Sequence, residues 1–226
     1  MTGKHFAIAI DGPSGAGKST LARSLASHFG ILYVDTGALY RTLGLFALRQ
    51  GVDPRDTTQV EALLPNVSIS LEHGVDGQRA ILNGFDVSDE IRAHRVSQAA
   101  SDISALPPVR AFLLELQRSF AKHQSVIMDG RDIGTVVLPD ADLKIFLTAD
   151  PEDRAKRRHL ELLARGQDVS LEAVLADINK RDKNDETRAI APLKPASGAV
   201  VLNTTGNTFE ESFLLLANIV KEKITT

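Results

Sequence analysis

Residues 6–19 read FAIAIDGPSGAGKS, and the fold follows from how that stretch changes character along its length. Residues 5–10 form a short, largely apolar run ending at Asp11 and a glycine-rich turn, as expected of a strand buried on both faces of a parallel sheet. Residues 12–19 then match G-x-x-x-x-G-K-[ST] in full, between a predicted strand and a predicted helix. Gly12, Gly15 and Gly17 can take backbone angles closed to other residues, so successive N–H groups can turn inward around a phosphate at the positive end of the helix. Lys18 is placed to neutralise the β and γ phosphates of ATP, and Ser19 to offer its hydroxyl to Mg2+. The expected cradle comprises Gly12, Pro13, Ser14, Gly15, Ala16, Gly17, Lys18, Ser19 and Thr20.

Outward from the motif, Leu21, Leu25 and Phe29 recur at helical spacing, and Gly30 is a suitable helix stop. A second buried strand is predicted at 31–34 and a helix over 37–50, ending at Gly51. Residues 67–72 and 78–83 alternate apolar and polar side chains around a loop at 73–77, which predicts a hairpin. Helices are predicted near 88–103 and 107–123, and buried strands at 126–129, 143–148 and 199–204. Pro151 and Ser170 suit the first turns of two helices, and Thr208 with Glu211 spells a capping box for the last. Five apolar strands separated by helices imply an α/β fold: a parallel five-stranded sheet with helices on both faces, plus a small antiparallel β insertion. Ligands of such sheets bind beyond the carboxyl ends of the strands, so the residues after Ile10, Val34 and Met128 should converge.

The totals agree with a single α/β domain. The chain has 226 residues, 43% hydrophobic and 24% charged, with no cysteine. Disulfides and thiolate metal sites are excluded, and a reducing cytoplasm is the expected compartment. No apolar run suits a signal peptide or membrane span. A net charge of −3 offers no basic face for nucleic acid. Residues 152–194 hold ten Lys/Arg and nine Asp/Glu, a mixture better suited to a small anion than to a polymer.

A phosphate cradle alone does not choose an acceptor. Residues 179–182 read NKRD, which matches the N-K-x-D signature of guanine-binding GTPases, but they continue the helix-spaced run of Leu171, Val174, Leu175 and Ile178, and no D-x-x-G occurs. A solvated helix end accounts for Asn179 and Lys180. A nucleotide-binding regulator without catalysis is the alternative from another class, and it needs no second anion site. Here Arg41, Arg110, Arg131, Arg181 and Arg188 occupy separate segments that the topology can gather round one phosphate-bearing pocket. Two phosphate-bearing reactants carry at least four negative charges, and guanidinium forks bind phosphate bidentately while staying charged. Any one arginine alone reads as a surface charge; Arg131, in DGRD directly after a buried strand, does not.

Together with the motif at 12–19, the segments DTGALYR at 35–41, DGRDIGTVV at 129–137 and KRDKNDETRAIAPL at 180–193 resemble the bacterial cytidylate kinases nearly end to end. The resemblance implies a single P-loop kinase domain over 1–226: a core of 1–35, 123–153 and 189–226, a nucleoside-monophosphate-binding segment at 36–122 that includes the β insertion, and a lid at 154–188. It implies transfer of phosphate from ATP to CMP or dCMP, by a monomer with no nucleic-acid or membrane partner. It places Arg41, Arg131 and Arg181 on the acceptor phosphate with Thr36 close by; Ser101, Arg110 and Asp132 on cytosine; and Asp185 and Arg188 near the ribose. Lys18, Arg131, Arg181 and Arg188 would be the catalytic cations. The residues alone leave UMP open as the acceptor. Asp35 and Asp129, just past strand ends, either cap helices or orient arginines and metal-bound water.

Replacing Lys18 by Ala is expected to lower kcat by about 10²-fold or more, the scale of one preorganised electrostatic group lost from a transition state. Steady-state assay of ADP production measures it, and turnover within a few-fold of wild type would refute the cradle.

Overall fold

The computed structural model describes residues 5–74, 77–164 and 166–225. In chain order, β1 (Ala7–Asp11), α1 (Lys18–Phe29) and β2 (Leu32–Asp35) are followed by α2 (Thr36–Arg49), α3 (Thr57–Leu63), β3 (Ile69–Gly74), β4 (Gly77–Leu82) and β5 (Phe85–Asp86). Next come α4 (His94–Ile103), α5 (Pro107–Ser119), β6 (Val126–Gly130), β7 (Leu143–Thr148), α6 (Pro151–Ala164), α7 (Leu171–Thr187), β8 (Val200–Asn203) and α8 (Phe209–Thr225). These elements fall into two compact units, one of residues up to Tyr33 and from His123 onward, the other Val34–Lys122.

In the first unit the apolar runs form a five-stranded parallel sheet in the order β2-β6-β1-β7-β8. Strand β1 runs parallel to β6 on one side and β7 on the other, with Ile8 opposite Ile127 and Leu143. It has no solvent-facing edge, and Ile8, Ala9 and Ile10 are fully buried. Leu21 and Leu25 of α1 and Leu216 and Val220 of α8 cover one face, against Ile10, Ile145 and Leu147. The chain leaves β1 toward β2 and later crosses from β6 to β7 past β1 on the other side. The strand order reverses there, which opens a crevice at the carboxyl end of β1. The glycine-rich loop lies in that crevice. Gly12 has φ +150°, and a Cβ on it would stand 1.9 Å from the Leu147 carbonyl oxygen, so only glycine lets the loop pass the end of β7.

Local signals decide most boundaries. Gly30 ends α1 at φ 65°, donating its N–H to the Ala26 carbonyl. Thr208 and Glu211 form the expected capping box: Thr208 N–H reaches Glu211 Oε2 at 2.8 Å, and Glu211 N–H reaches Thr208 Oγ1 at 3.2 Å. Ser170 Oγ accepts from Ala173 N–H at the start of α7.

The second unit departs from expectation in four places. The hairpin is tighter than predicted: His73 pairs with Gln78 and Gly74 with Gly77, so most of the expected loop is strand. Its tip at Val75 and Asp76 lies outside the described residues, as does Arg165 of the expected lid. A third strand, β5, adds to β4. Its signal was the Asn83-Gly84 dipeptide, whose φ values of 49° and 85° make the two-residue turn that such a pair favours. The helix predicted over 88–103 begins only at His94. Ser88 Oγ accepts the Ala80 N–H and donates to Asp86, which holds this stretch against β4; a short 3-10 turn, Glu90–Arg92, and an extended Ala93 follow. The short α3, capped by Asp56, buries only Val60 and gave too little periodicity to be predicted. Gly44 of α2 lets α4 approach, since a Cβ there would meet Ala99 and Ala100 at 3.1–3.3 Å.

After β6 the chain makes a tight π-helical turn, Ile133–Val137, which β1 captures through Asp11. The buried carboxylate of Asp11 accepts the N–H groups of Ile133 at 2.7 Å and Gly134 at 2.8 Å. Burial raises its pKa from 3.8 to about 6 despite these two bonds, and nearby Asp132 adds to the rise. Between those pH values the folded chain holds a proton that the unfolded chain has lost. This contribution is therefore full below pH 4 and is lost as pH climbs past 6. Asp11→Asn removes the titration. The difference in unfolding free energy between the two proteins, from denaturant titrations at pH 4 and pH 7, is expected to move by roughly 2 kcal/mol in favour of Asn as pH rises. A gap that ignores pH would show that Asp11 is ionised throughout.

Candidate active site

The residues that follow β1, β6 and α7 assemble at the crevice. Lys18, the first residue of α1, is 5% exposed and donates from Nζ to the Pro13 carbonyl at 2.7 Å. Burial lowers its pKa from 10.5 to about 7, and the positive charge of Arg131 pushes the same way. Ser19 donates its hydroxyl to Asp129 Oδ2 at 2.8 Å, while Tyr33 donates to Asp129 Oδ1 at 2.9 Å. Both oxygens of this carboxylate, at the end of β6, are thereby oriented. Asp129 serves as an orienting group and not as a helix cap.

Arg131 leaves the same strand end and donates from Nε to Asp185 Oδ2 at 2.7 Å. Burial works against its charge, but Asp185, with Asp129 and Asp182, outweighs burial and holds the guanidinium pKa above its ordinary value. Burial alone would raise Asp185, yet Arg131, Arg188 and Arg181 together hold it below the carboxylate range. Arg188, at the end of α7, has its guanidinium 3.6 Å from Asp132 and 3.9 Å from Asp185, and its Nε donates to the Ala191 carbonyl. Asp132 therefore lies opposite Arg188. Arg181 is different in kind. Its Nε is buried without a hydrogen-bond partner, and burial with repulsion from Arg131 lowers its pKa from 12.5 to about 10.

Of the sequence-predicted residues, this unit gathers Lys18, Ser19, Arg131, Asp132, Arg181, Asp185 and Arg188 into one charge network. The NKRD tetrad lies inside α7, which continues to Thr187, with Asn179 and Lys180 exposed on its surface. It has no strand to follow, so it forms no guanine loop; it also lies deeper in the helix than the expected solvated end.

The remaining predicted residues belong to the second unit. Asp35 caps α2 through the Ala38 N–H at 3.0 Å and also holds Arg41, whose guanidinium donates to Asp35 Oδ2 at 2.7 Å. Both readings of Asp35 thus apply. Gly37 makes room, because a Cβ there would stand 2.9 Å from the Arg41 guanidinium. Thr36 is buried in the first turn of α2. Arg110 lies over the Tyr40 ring at 5.8 Å and donates to the Ser104 carbonyl at 3.1 Å. Ser101 Oγ is buried with no hydrogen-bond partner.

Sequence reasoning missed three groups in the first unit. Tyr33 gave no signal beyond an aromatic in a strand. Asp11 read as a strand end. Arg154, the fourth residue of α6, entered as the first residue of the expected lid and one of ten cations in 152–194, yet it is 3% exposed. A cavity of about 490 Å³ lies away from all of these groups, beside Leu143 and Val200 at the amino ends of β7 and β8.

Two of the contacting oxygens suit a hard cation. Mg2+ is bound by one or two protein oxygens and otherwise by water and phosphate, so a hydroxyl at Ser19 against the Asp129 carboxylate fits it. Among the described residues no group of three or more His, Asp or Glu could hold a metal alone. A metal shared with a bound triphosphate is the form this donor set suits.

Comparison with known proteins places the chain in a family. A solved structure of an uncharacterised protein from Eubacterium ventriosum overlays with a TM-score of 0.51 at 14% identity, covering 96% of this chain and 99% of that one, which supports the fold alone. A cytidylate kinase of Carboxydothermus hydrogenoformans is 47% identical over 216 residues, 96% of this chain and 97% of its own. A cytidylate kinase of Caldicellulosiruptor bescii is 49% identical over 209 residues, 92% of each chain. Residues 8–222 match the family described as cytidylate kinase, and with the phosphate loop and arginine network in place the chain belongs to that family.

Proposed function

We propose that this chain transfers the γ-phosphoryl group of ATP to the phosphate of CMP, and of dCMP, releasing ADP and the cytidine diphosphate. One observation carries the reading: Lys18 and Arg181 are both forced below their ordinary pKa values, each pushed by burial and by Arg131. Lys18 and Arg181, crowded by Arg131 near a phosphate loop, are electrostatically unsatisfied until anions arrive.

In this reading Lys18 holds the β and γ phosphates, and the loop N–H groups cradle them. Ser19, its hydroxyl oriented by Asp129, would hold Mg2+, which would supply neutralising positive charge at the triphosphate. Arg131 and Arg181 hold the acceptor phosphate and, with Arg188, balance charge in the transition state. A loose phosphoryl-transfer transition state asks for alignment and charge compensation more than for proton removal. In the second unit, Arg41 with Thr36 is assigned to the CMP phosphate, and Ser101 with Arg110 to cytosine. The buried Ser101 hydroxyl, which has no partner, supports that assignment. Residues 154–188 are the proposed lid, excluding water so that ATP does not transfer to it. Residues 36–122 are the proposed acceptor segment. The enzyme is proposed to act as a cytoplasmic monomer on free nucleotides, without nucleic acid or membrane; among the described residues no helix is long and apolar enough to span a membrane.

Arg131→Met and Arg181→Met are each expected to raise the KM for CMP or lower kcat while leaving ATP affinity within a few-fold, since the loop holds the ATP phosphates. Equal damage to both substrates would place these arginines elsewhere.

Base choice separates CMP from UMP as the acceptor. Cytosine presents an amino donor at N4 and acceptors at N3 and O2, whereas uracil reverses two of these. Asp132 is assigned the N4 amine, and an unpaired buried polar group costs about 1–3 kcal/mol, so wild type should prefer CMP by roughly tenfold to a few hundredfold in kcat/KM. Asp132→Ala is expected to lose most of that preference by harming CMP more than UMP. A parallel fall for both nucleotides would leave Asp132 only its place opposite Arg188.

A further inference from the structure

A phosphate loop works only if its N–H groups point inward. In a planar trans peptide the C=O of one residue points opposite to the N–H of the next. Whatever holds the Ser14 carbonyl outward therefore aims the Gly15 N–H into the cradle. The group that does so comes from outside the motif. Arg154 donates from one terminal nitrogen to the Ser14 carbonyl at 2.9 Å, from Nε to the Ala149 carbonyl at 2.8 Å, and from the other terminal nitrogen to Asp182 Oδ2 at 2.6 Å. A Cβ on Gly15 would stand 3.1 Å from Arg154 Cβ, so the loop lies directly against this residue.

Each of the three nitrogens of one guanidinium thus donates to a different segment. They are the phosphate loop, the chain just beyond the end of β7, and α7. Asp182 lies one residue from Arg181 and three from Asp185, the carboxylate that grips Arg131. The hydrophobic contact between α6 and α7 through Ala155, Leu162, Val174 and Ile178 keeps the two helices together around this bond. A shift of the Ser14–Gly15 peptide on filling the cradle is therefore passed to the helix that carries the acceptor-side charges.

We propose that Arg154 is a positioning residue that sets the Ser14–Gly15 peptide for the ATP phosphates and, through Asp182, links it to the helix of Arg181 and Asp185, so that ATP and CMP tighten each other's binding. Coupling of this kind is reciprocal, each ligand changing the other's affinity by the same factor. Lysine cannot substitute, because a single ammonium lacks the planar fork that reaches three acceptors in fixed directions. The inference rests on the loop being the ATP phosphate site.

The test is calorimetric binding of a non-hydrolysable ATP analogue with Mg2+, and of CMP, each alone and with the other saturating, on the full chain. In wild type the analogue is expected to tighten CMP by fivefold or more. Arg154→Lys should weaken the analogue by about tenfold and cut the coupling factor at least threefold. Asp182→Asn keeps an acceptor for Arg154 but loses the charge-assisted bond; it should bind the analogue within about threefold of wild type and still lose at least threefold in coupling. If Arg154→Lys does not fold by thermal denaturation, Asp182→Asn decides alone. Independent binding in wild type, or a wild-type coupling factor in any folded variant, overturns the proposal. Lys18→Ala separates the layers. If it binds the analogue normally, the loop assignment itself fails, whereas if it loses the analogue while both other variants behave as wild type, only the link through Arg154 fails.

Discussion

The burial of Lys18 and Arg181 at the end of the sheet, sharpened by the positive charge of Arg131, is the constraint on which the rest of the first unit depends. Like charges a few ångströms apart cost a few kcal/mol even at the dielectric of a protein surface, and burial adds to that cost. No chain gathers such groups unless stronger forces place them. Here the placing force is the burial of five apolar strands and their helices, which fixes where β1, β6 and β7 end. Carboxylates then limit the damage. Asp185 grips Arg131, and Asp129 and Asp185 oppose the depression of Lys18. The remaining imbalance is what gives an anion its affinity, because a ligand that supplies the missing negative charge relieves a penalty the fold already carries.

The same reasoning explains a site with no evident general base. The carboxylate that meets the loop, Asp129, has both oxygens occupied, one by Ser19 and one by Tyr33. It is positioned to fix a hydroxyl, and it is poorly placed to accept a proton from substrate. A phosphate acceptor carries its nucleophilic oxygen already ionised near neutral pH, so the chemistry asks for charge compensation and alignment, and these are what the arginines and the loop supply.

Much of this was legible in the sequence because the signals were local. The run FAIAI, the glycines of the loop, the Thr208–Glu211 box and the cap at Ser170 each act within a few residues, and each appears as read. The misses were of two kinds. Asn83-Gly84 was a local signal that went unused, and β5 went with it. Ser88 could not be read locally at all, since the helix start it delays depends on a hydroxyl bonding to Ala80 across a strand. The site divides the same way. Arg131 was marked by its place after a buried strand, whereas Arg154 sits among exposed charges in α6 and owes its burial to α7, 28 residues away at Asp182.

The partners of the arginines bear on how tightly substrate is held. Arg131 rests on Asp185 and Arg41 on Asp35, both at 2.7 Å. A phosphate arriving at either guanidinium competes with a carboxylate already in place. Its net gain is the difference between two charge-assisted bonds, much less than the whole of one. Under the proposed assignment that difference would keep ground-state affinity modest and let the product leave. The carboxylate also prevents the guanidinium from being a bare buried charge while the site waits. Under the proposed assignment Arg181, whose Nε has no such bond, is where the approaching acceptor would gain most, and it stands on the helix that bonds Arg154 through Asp182. Strong attraction is thus concentrated at the point where donor and acceptor must be brought into line, and weakened by competing carboxylates elsewhere. This is the distribution expected of a site that favours the transition state over its substrates.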